Sequence, residues 1–157
     1  MFRPAGNGKR KIIVKYRKAL PTDLESIKKL LELYELPASD CKEHIGNFIV
    51  AFNEQGVVGV GGYESCGNIG LLRSVAVAQT ELGKGIANKI FSLLRENAIE
   101  TGIETLYLLT STASMYFEKL GFVVCNRDNV PTPIRLTKQF RELCPSSATV
   151  MVLNLCG

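Results

Sequence analysis

The sequence has no tryptophan, a single histidine and no C-x-x-C pair among its five cysteines. Each shortage excludes something. Cys41, Cys66, Cys125, Cys144 and Cys156 are odd in number and widely spaced, so neither a disulfide framework nor a zinc-binding set is predicted and the thiols are expected to stay reduced. The lone His44 falls in an irregular connector and reads as a surface residue, leaving no metal ligand set. No apolar run reaches the roughly 18 residues of a membrane span, and the first residues lack the apolar core of an export signal. The expectation is a cytoplasmic protein with no membrane partner. Acids are missing from the start as well: Arg3, Lys9, Arg10 and Lys11 account for the whole net charge of +4, so residues 12–157 are neutral overall. Residues 1–11 therefore read as a disordered basic tail, and no nucleic-acid partner is predicted.

What remains is ordinary for a folded domain. At 157 residues, 46% apolar and 22% charged, residues 12–157 suffice for a single domain with one core. Near-alternation over Ile12–Ala19 predicts a strand, and Thr22–Glu25 a capping-box start for a helix with Leu24, Ile27, Leu30, Leu31 and Tyr34 on one face. Asn47–Phe52, Val57–Glu64 and Ile69–Val77 read as a meander of three strands. A helix follows from Gly85 until Gly102 stops it, then a buried strand at Leu106–Leu109, a short helix at Met115–Leu120 and a strand at Phe122–Cys125. Pro131–Leu143 carries a helical pattern, and Thr149–Leu155 alternates as a closing strand. This order is an α+β layout around one mixed sheet.

The most informative stretch runs from Val75 to Asn88, where a strand pattern passes through Leu82-Gly83-Lys84-Gly85 into the helix beginning Ile86-Ala87-Asn88. Glycines let the backbone approach a ligand closely, and amides at a helix start offer fixed donors and the positive end of the dipole, so the loop reads as a phosphate cradle. A dinucleotide-binding turn is the rival, with Glu104 as the ribose acid. Asn88 stands where its third glycine belongs, however, and a meander precedes the loop instead of a βαβ unit. A plain strand-to-helix connection is the bland alternative.

About 25 residues further on, Thr110-Ser111-Thr112-Ala113-Ser114-Met115-Tyr116-Phe117 leads into a helix ending at Gly121-Phe122. The two segments, in this order, resemble the acetyl-CoA-binding half of the GCN5-related N-acetyltransferases. The resemblance implies that family's fold, a mixed and mostly antiparallel sheet of about seven strands flanked by about four helices. It implies acetyl-CoA as cosubstrate, bound through the backbone of Val75, Ala76 and Val77 and the loop Leu82, Gly83, Lys84, Gly85, Ile86, Ala87 and Asn88, with Thr110 and Phe117 bordering it. A bulge at Ser74 and Val75 would aim an amide at the thioester oxygen. The family's usual tyrosine acid falls at Phe117, which leaves the neighbouring Tyr116 as the candidate, and Glu64 is the candidate base.

The run Leu108 to Phe122 is similar to amino-acid N-acetyltransferases, including the acetyltransferase domain of N-acetylglutamate synthase. Leu71–Val75 and Leu143–Ala148 are similar to the small acetyltransferases encoded beside arsenic-resistance genes. The implied acceptor is a small amine, amino-acid-like and with an acidic side chain. Its carboxylates would call for a guanidinium, first Arg73, then Arg127 or Arg135. Ser74, Thr110, Ser111, Cys144, Ser146 and Ser147 complete the acceptor candidates, in a monomer or homodimer. Another amine, or a non-catalytic acyl-CoA sensor, are the other readings.

Overall fold

A computed structural model of the chain describes residues 13–155. The basic segment 1–11, the start of the first predicted strand at Ile12 and Cys156 lie outside the described residues. The rest forms one seven-stranded mixed sheet of order β1-β2-β3-β4-β5-β7-β6, with strands β1 (Lys15–Lys18), β2 (Phe48–Asn53), β3 (Gly56–Cys66), β4 (Ile69–Val77), β5 (Thr105–Thr110), β6 (Val123–Cys125) and β7 (Thr149–Asn154). Every pairing is antiparallel except β4 with β5. The α+β layout and the strand count are those expected.

Helices cover both faces. Helix α1 (Leu24–Leu33) buries Ile27, Leu30 and Leu31, one face at helical spacing, against Phe48, Val50, Val60 and Ala76. The predicted capping box is not what starts it. Asp23 instead accepts from the Leu20 amide at 2.7 Å and from Arg17 at 2.6 Å, tying the approach to α1 onto β1. The short α2 (Cys41–His44) shares this face with α5 (Thr132–Arg135) and a π-helical turn at Gln139–Leu143. The single helical pattern read from Pro131 to Leu143 is therefore two short pieces.

On the other face α3 (Ile86–Glu100) buries Ile86, Ile90, Phe91, Leu94 and Ala98. It lies almost on the backbone of β3: a Cβ added at Gly59 would stand 2.9 Å from Ile86 Cγ2, and one at Gly61 2.8 Å from Ile90 Cγ2. Helix α4 (Ser114–Lys119) follows β5, and its Phe117 meets Phe122 edge-on. Gly102 ends α3 and Gly121 ends α4, each with a positive φ. Amides of the next residues return to the carbonyls of Ala98 and Phe117.

Two irregularities position the site. Val60 pairs with Ala76 but Gly62 with Arg73, so Gly61 stands opposite both Ser74 and Val75, and Ser74 has a φ of 59°. That is a bulge in β4. The parallel pairing of β4 with β5 covers only Ile69–Leu71 against Thr105–Tyr107. Beyond it the two strands part.

Candidate active site

The parted strands enclose a cavity of about 370 Å³ whose walls include Ser74, Val75, Val77, Thr110, Tyr116 and Phe117. A second cavity of about 430 Å³ lies over the loop before α3, against Gly83, Gly85, Ile86 and Asn88, and shares Val77, Leu82, Ala87 and Tyr116 with the first. Gly83 and Gly85 take φ values of 80° and 77°, a left-handed backbone that side chains with a Cβ disfavour, and nothing stands within 4 Å of where a Cβ would be. The loop thus turns bare backbone and a helix N-terminus toward open space. This suits a pyrophosphate, while the mostly apolar slot between β4 and β5 suits a thioester arm. The side chain of Lys84 is half exposed and donates to Glu81 at 3.3 Å.

Phe117 is buried at the cavity wall and offers no proton. Tyr116 lines both cavities, and its hydroxyl donates to Asn88 Oδ1 at 2.7 Å; burial raises its pKa. A second hydroxyl, read from the sequence only as part of the apolar face of the first helix, borders the same space: Tyr34, at the end of α1, donates to the Val77 carbonyl at 2.5 Å. Thr110 is spent locally, its Oγ1 accepting from the Ala113 amide at 2.9 Å, and Ser111 is exposed.

At the far end of the first cavity lies a buried cluster of charge. Arg73 is 4% exposed. Its Nη1 donates to Asp40 Oδ2 at 2.7 Å and to Glu64 Oε2 at 2.8 Å, its Nη2 to Asp40 Oδ1 at 2.5 Å, and its Nε to Ser74 Oγ at 2.9 Å. Burial works against this charge, but hydrogen bonding and attraction from Asp40 outweigh it, so the guanidinium pKa lies above its ordinary value. Burial likewise opposes charge on Asp40, and the Arg73 bonds override it, lowering that pKa.

This corrects the expectation for Arg73. Two carboxylates take three of its five donors, Ser74 Oγ a fourth and the Cys41 sulfur, at 3.8 Å, the last, so it has none to spare for an acidic acceptor, and it instead braces the bulge through Ser74. Arg127 and Arg135 lie away from the cavity walls and are drawn in part to the backbone: Arg127 donates through Nη2 to the Ala148 carbonyl at 2.9 Å, Arg135 to those of Val130 and Arg127 at 2.8 and 2.7 Å, and both guanidinia lie over the Phe140 ring. Ser146 and Ser147 are exposed and outside the cavity walls.

Sequence reasoning missed two members of this end. Asp40 had no motif around it. His44, read as a surface residue, is only 26% exposed in its side chain and sits with Nε2 at 3.6 Å from Glu64 Oε1 and 3.8 Å from Asp40 Oδ2. The three residues offer ligand atoms within 4.8 Å of one another. A metal there would have to compete with Arg73, which already donates to three of the four carboxylate oxygens. On the opposite side Cys144, its pKa raised by burial and lowered in turn by the nearby charges of Arg73 and Arg127, gives its thiol hydrogen to Gln139 Oε1 at 3.2 Å. Gln139 Nε2 is buried without a hydrogen-bond partner among the described residues, a condition that costs about 1–3 kcal/mol if nothing fills it.

A bulged fourth strand, a splay against the fifth and a glycine loop at a helix start define an acyl-CoA-type transferase site. Residues 44–124, just over half of the chain, match the acetyltransferase (GNAT) domain family, and the chain belongs to that family. Solved structures of similar fold include N-acetylglutamate synthase from Neisseria gonorrhoeae complexed with coenzyme A and N-acetyl-glutamate, at 19% identity and a TM-score of 0.78. That match covers 93% of this chain and 36% of the synthase, so the chain spans about a third of the synthase's length. A Mycobacterium tuberculosis protein in complex with CoA matches at 22% identity and 0.75, covering 89% of this chain and 98% of that one. A GNAT-family acetyltransferase from Staphylococcus aureus matches at 17% and 0.74, covering 91% and 99%.

Proposed function

We propose that the protein transfers an acetyl group from acetyl-CoA to the amino group of a small, amino-acid-like acceptor. The observation that carries this is the continuity of the two cavities through Val77, Leu82, Ala87 and Tyr116. A phosphate-binding loop at one end and a slot at the bulge at the other fit one extended thioester. The coenzyme bound to the synthase and to the M. tuberculosis protein supports the same cosubstrate. Amides of the glycine loop and α3 hold the pyrophosphate, and the bulge at Ser74 and Val75 supplies the amide that polarises the thioester carbonyl. The amine attacks directly, and positioning supplies much of the rate.

The amino-acid-like acceptor is supported by the similarity of Leu108–Phe122 to amino-acid N-acetyltransferases and of Leu143–Ala148 to arsenic-resistance acetyltransferases. An acidic side chain on that acceptor is not favoured, since Arg73, the guanidinium at the cavity wall, is already engaged by Asp40 and Glu64. Isothermal titration with acetyl-CoA, followed by thiol release over a panel of amines, tests the reading. Micromolar binding with acceptor-dependent release supports it. Binding with no release for any amine would leave a non-catalytic acyl-CoA binder, and no binding would overturn the cosubstrate.

A further inference from the structure

Among the described residues, only Glu35 and Ser74 take a positive φ without being glycine, and Ser74 does so in the bulge of β4. The left-handed position of such a bulge normally belongs to glycine, because a Cβ there crowds the backbone. A residue with a side chain persists in that conformation when its surroundings hold it there. For Ser74 the holding group is Arg73, whose Nε donates to Ser74 Oγ at 2.9 Å. The guanidinium is itself fixed on its other sides. Asp40 takes both Nη1 and Nη2, Glu64 takes Nη1, Cys41 Sγ lies 3.8 Å from Nη2, and the buried Phe48 ring has its centroid 5.8 Å from Cζ.

The bulge decides which way one amide faces. Ala78 turns its N–H to the Val58 carbonyl, so alternation along β4 turns those of Val77 and Val75 away from β3, toward the gap that opens where the pairing with β5 ends at Leu71. Arg73 pairs with Gly62 and Ala76 with Val60, which leaves one residue of β4 extra. With Ser74 extended, the register would close by that residue and the Val75 amide would swing from the cavity back toward the sheet.

We propose that Arg73, with Asp40 and Glu64 behind it, is a positioning device for the transfer reaction, pinning Ser74 in the left-handed conformation that turns the Val75 amide to the thioester carbonyl. The proposal rests on the acetyltransferase reading and gives the buried cluster a task in the reaction that needs no contact with the acceptor. Arg73, Asp40 and Glu64 act only through Ser74. The choice of group follows from its shape. A guanidinium carries a donor at Nε separate from its Nη pair, so two carboxylates can lock the plane at one end while the other end holds the hydroxyl. Lysine could answer the carboxylates, but its donors sit on one freely turning nitrogen.

Acetyl-CoA labelled with carbon-13 at the acetyl carbonyl, bound to the whole protein, reads the amide directly in the infrared, because a hydrogen bond to the carbonyl lowers its stretching frequency. No acceptor is needed for this reading. The native protein should shift the band clearly below that of free acetyl-CoA. Ser74→Ala keeps a Cβ and loses the pin, so the downshift should vanish, and kcat with the best amine of the panel should fall roughly thirtyfold, somewhat less than deletion of a whole oxyanion donor. Acetyl-CoA affinity should change little. Ser74→Gly loses the same hydroxyl but takes a left-handed φ freely, so it should keep most of the downshift and lose only about threefold in kcat, the difference being what that φ costs a residue with a Cβ. Arg73→Lys should behave like Ser74→Ala, and adding Ser74→Gly to it should bring the downshift back. Equal behaviour of the Ala and Gly variants, a native complex without a downshift, or no recovery in the double variant would overturn the proposal while leaving the transferase intact. Failure of the native protein to bind acetyl-CoA would instead overturn the reading beneath it.

Discussion

The two ends of the cleft are built on opposite plans. At the end proposed for the pyrophosphate the working parts are backbone: Gly83, Gly85 and the first turn of α3 come from one short segment and would act through amides that any sequence possesses. At the end proposed for the acceptor side chains dominate, gathered from the α1–α2 connector, β3 and β4, and they bury two carboxylates on one guanidinium. A backbone site tolerates side-chain change and fails when its φ angles are disturbed. A buried charge cluster fails when one member leaves.

The sharpest way to break this contrast is Arg73→Ala. It strands Asp40 and Glu64 in the interior, and removing one partner of a buried pair typically costs about 3–5 kcal/mol. Chemical denaturation should show that loss, whereas a change under about 1 kcal/mol would mean the cluster is hydrated. Next comes Gly83→Val with Gly85→Val, which forces left-handed positions onto β-branched residues. The fold should survive, and acetyl-CoA should bind at least tenfold more weakly by titration, about 1.4 kcal/mol. Unchanged affinity in the folded double variant would remove the loop from the site.

A smaller effect concerns acid. Since Arg73 holds the Asp40 carboxyl below its ordinary 3.8, this carboxylate stabilises the folded state fully at pH values above that range. The contribution disappears as pH falls from there through the lowered folded value, because the unfolded chain then binds the proton more readily. Asp40→Asn should flatten that acid limb of stability in thermal melts between pH 5 and pH 2, by about what a single carboxylate contributes. An unchanged slope would assign the limb to Asp23, which Arg17 lowers in the same sense. The smallest effect is at Tyr116→Phe, where turnover should fall less than about tenfold because the hydroxyl is committed to Asn88. A thousandfold loss at unchanged coenzyme affinity would make Tyr116 the acid after all.

Legibility follows the same division. The glycine loop could be read because it is contiguous, and the succession of strands and helices because periodicity and turn chemistry are local signals, whereas the bulge was implied only by the family resemblance. Ile69–Val77 was read to the residue. The charge cluster could not be read that way. Glu64 and Arg73 are nine residues apart and had each been singled out, but for separate roles, and nothing along the chain says that they neutralise one another. Asp40 and His44 sit in a segment without periodicity, and only its packing against β3 and β4 gives them a task. Gly62 left no signal as a packing site either. It is bare because the Phe48 ring lies where its Cβ would be, 2.1 Å from Cδ1, and that ring lies under the Arg73 guanidinium.

The placement of β7 between β5 and β6 has a consequence for how the chain assembles. Strands β1 to β4 pair with sequence neighbours, so this part of the sheet can form as soon as it leaves the ribosome. The outer edge of β5, with Leu106 and Leu108 in its alternation, finds its partner only in residues 149–154, and β6 attaches to the sheet through that same strand. Until those residues emerge, the half-made sheet carries an open apolar edge, the kind of template that recruits a strand from another chain. A translational pause or a nonsense codon shortly before Thr149 would therefore favour aggregation over a soluble fragment.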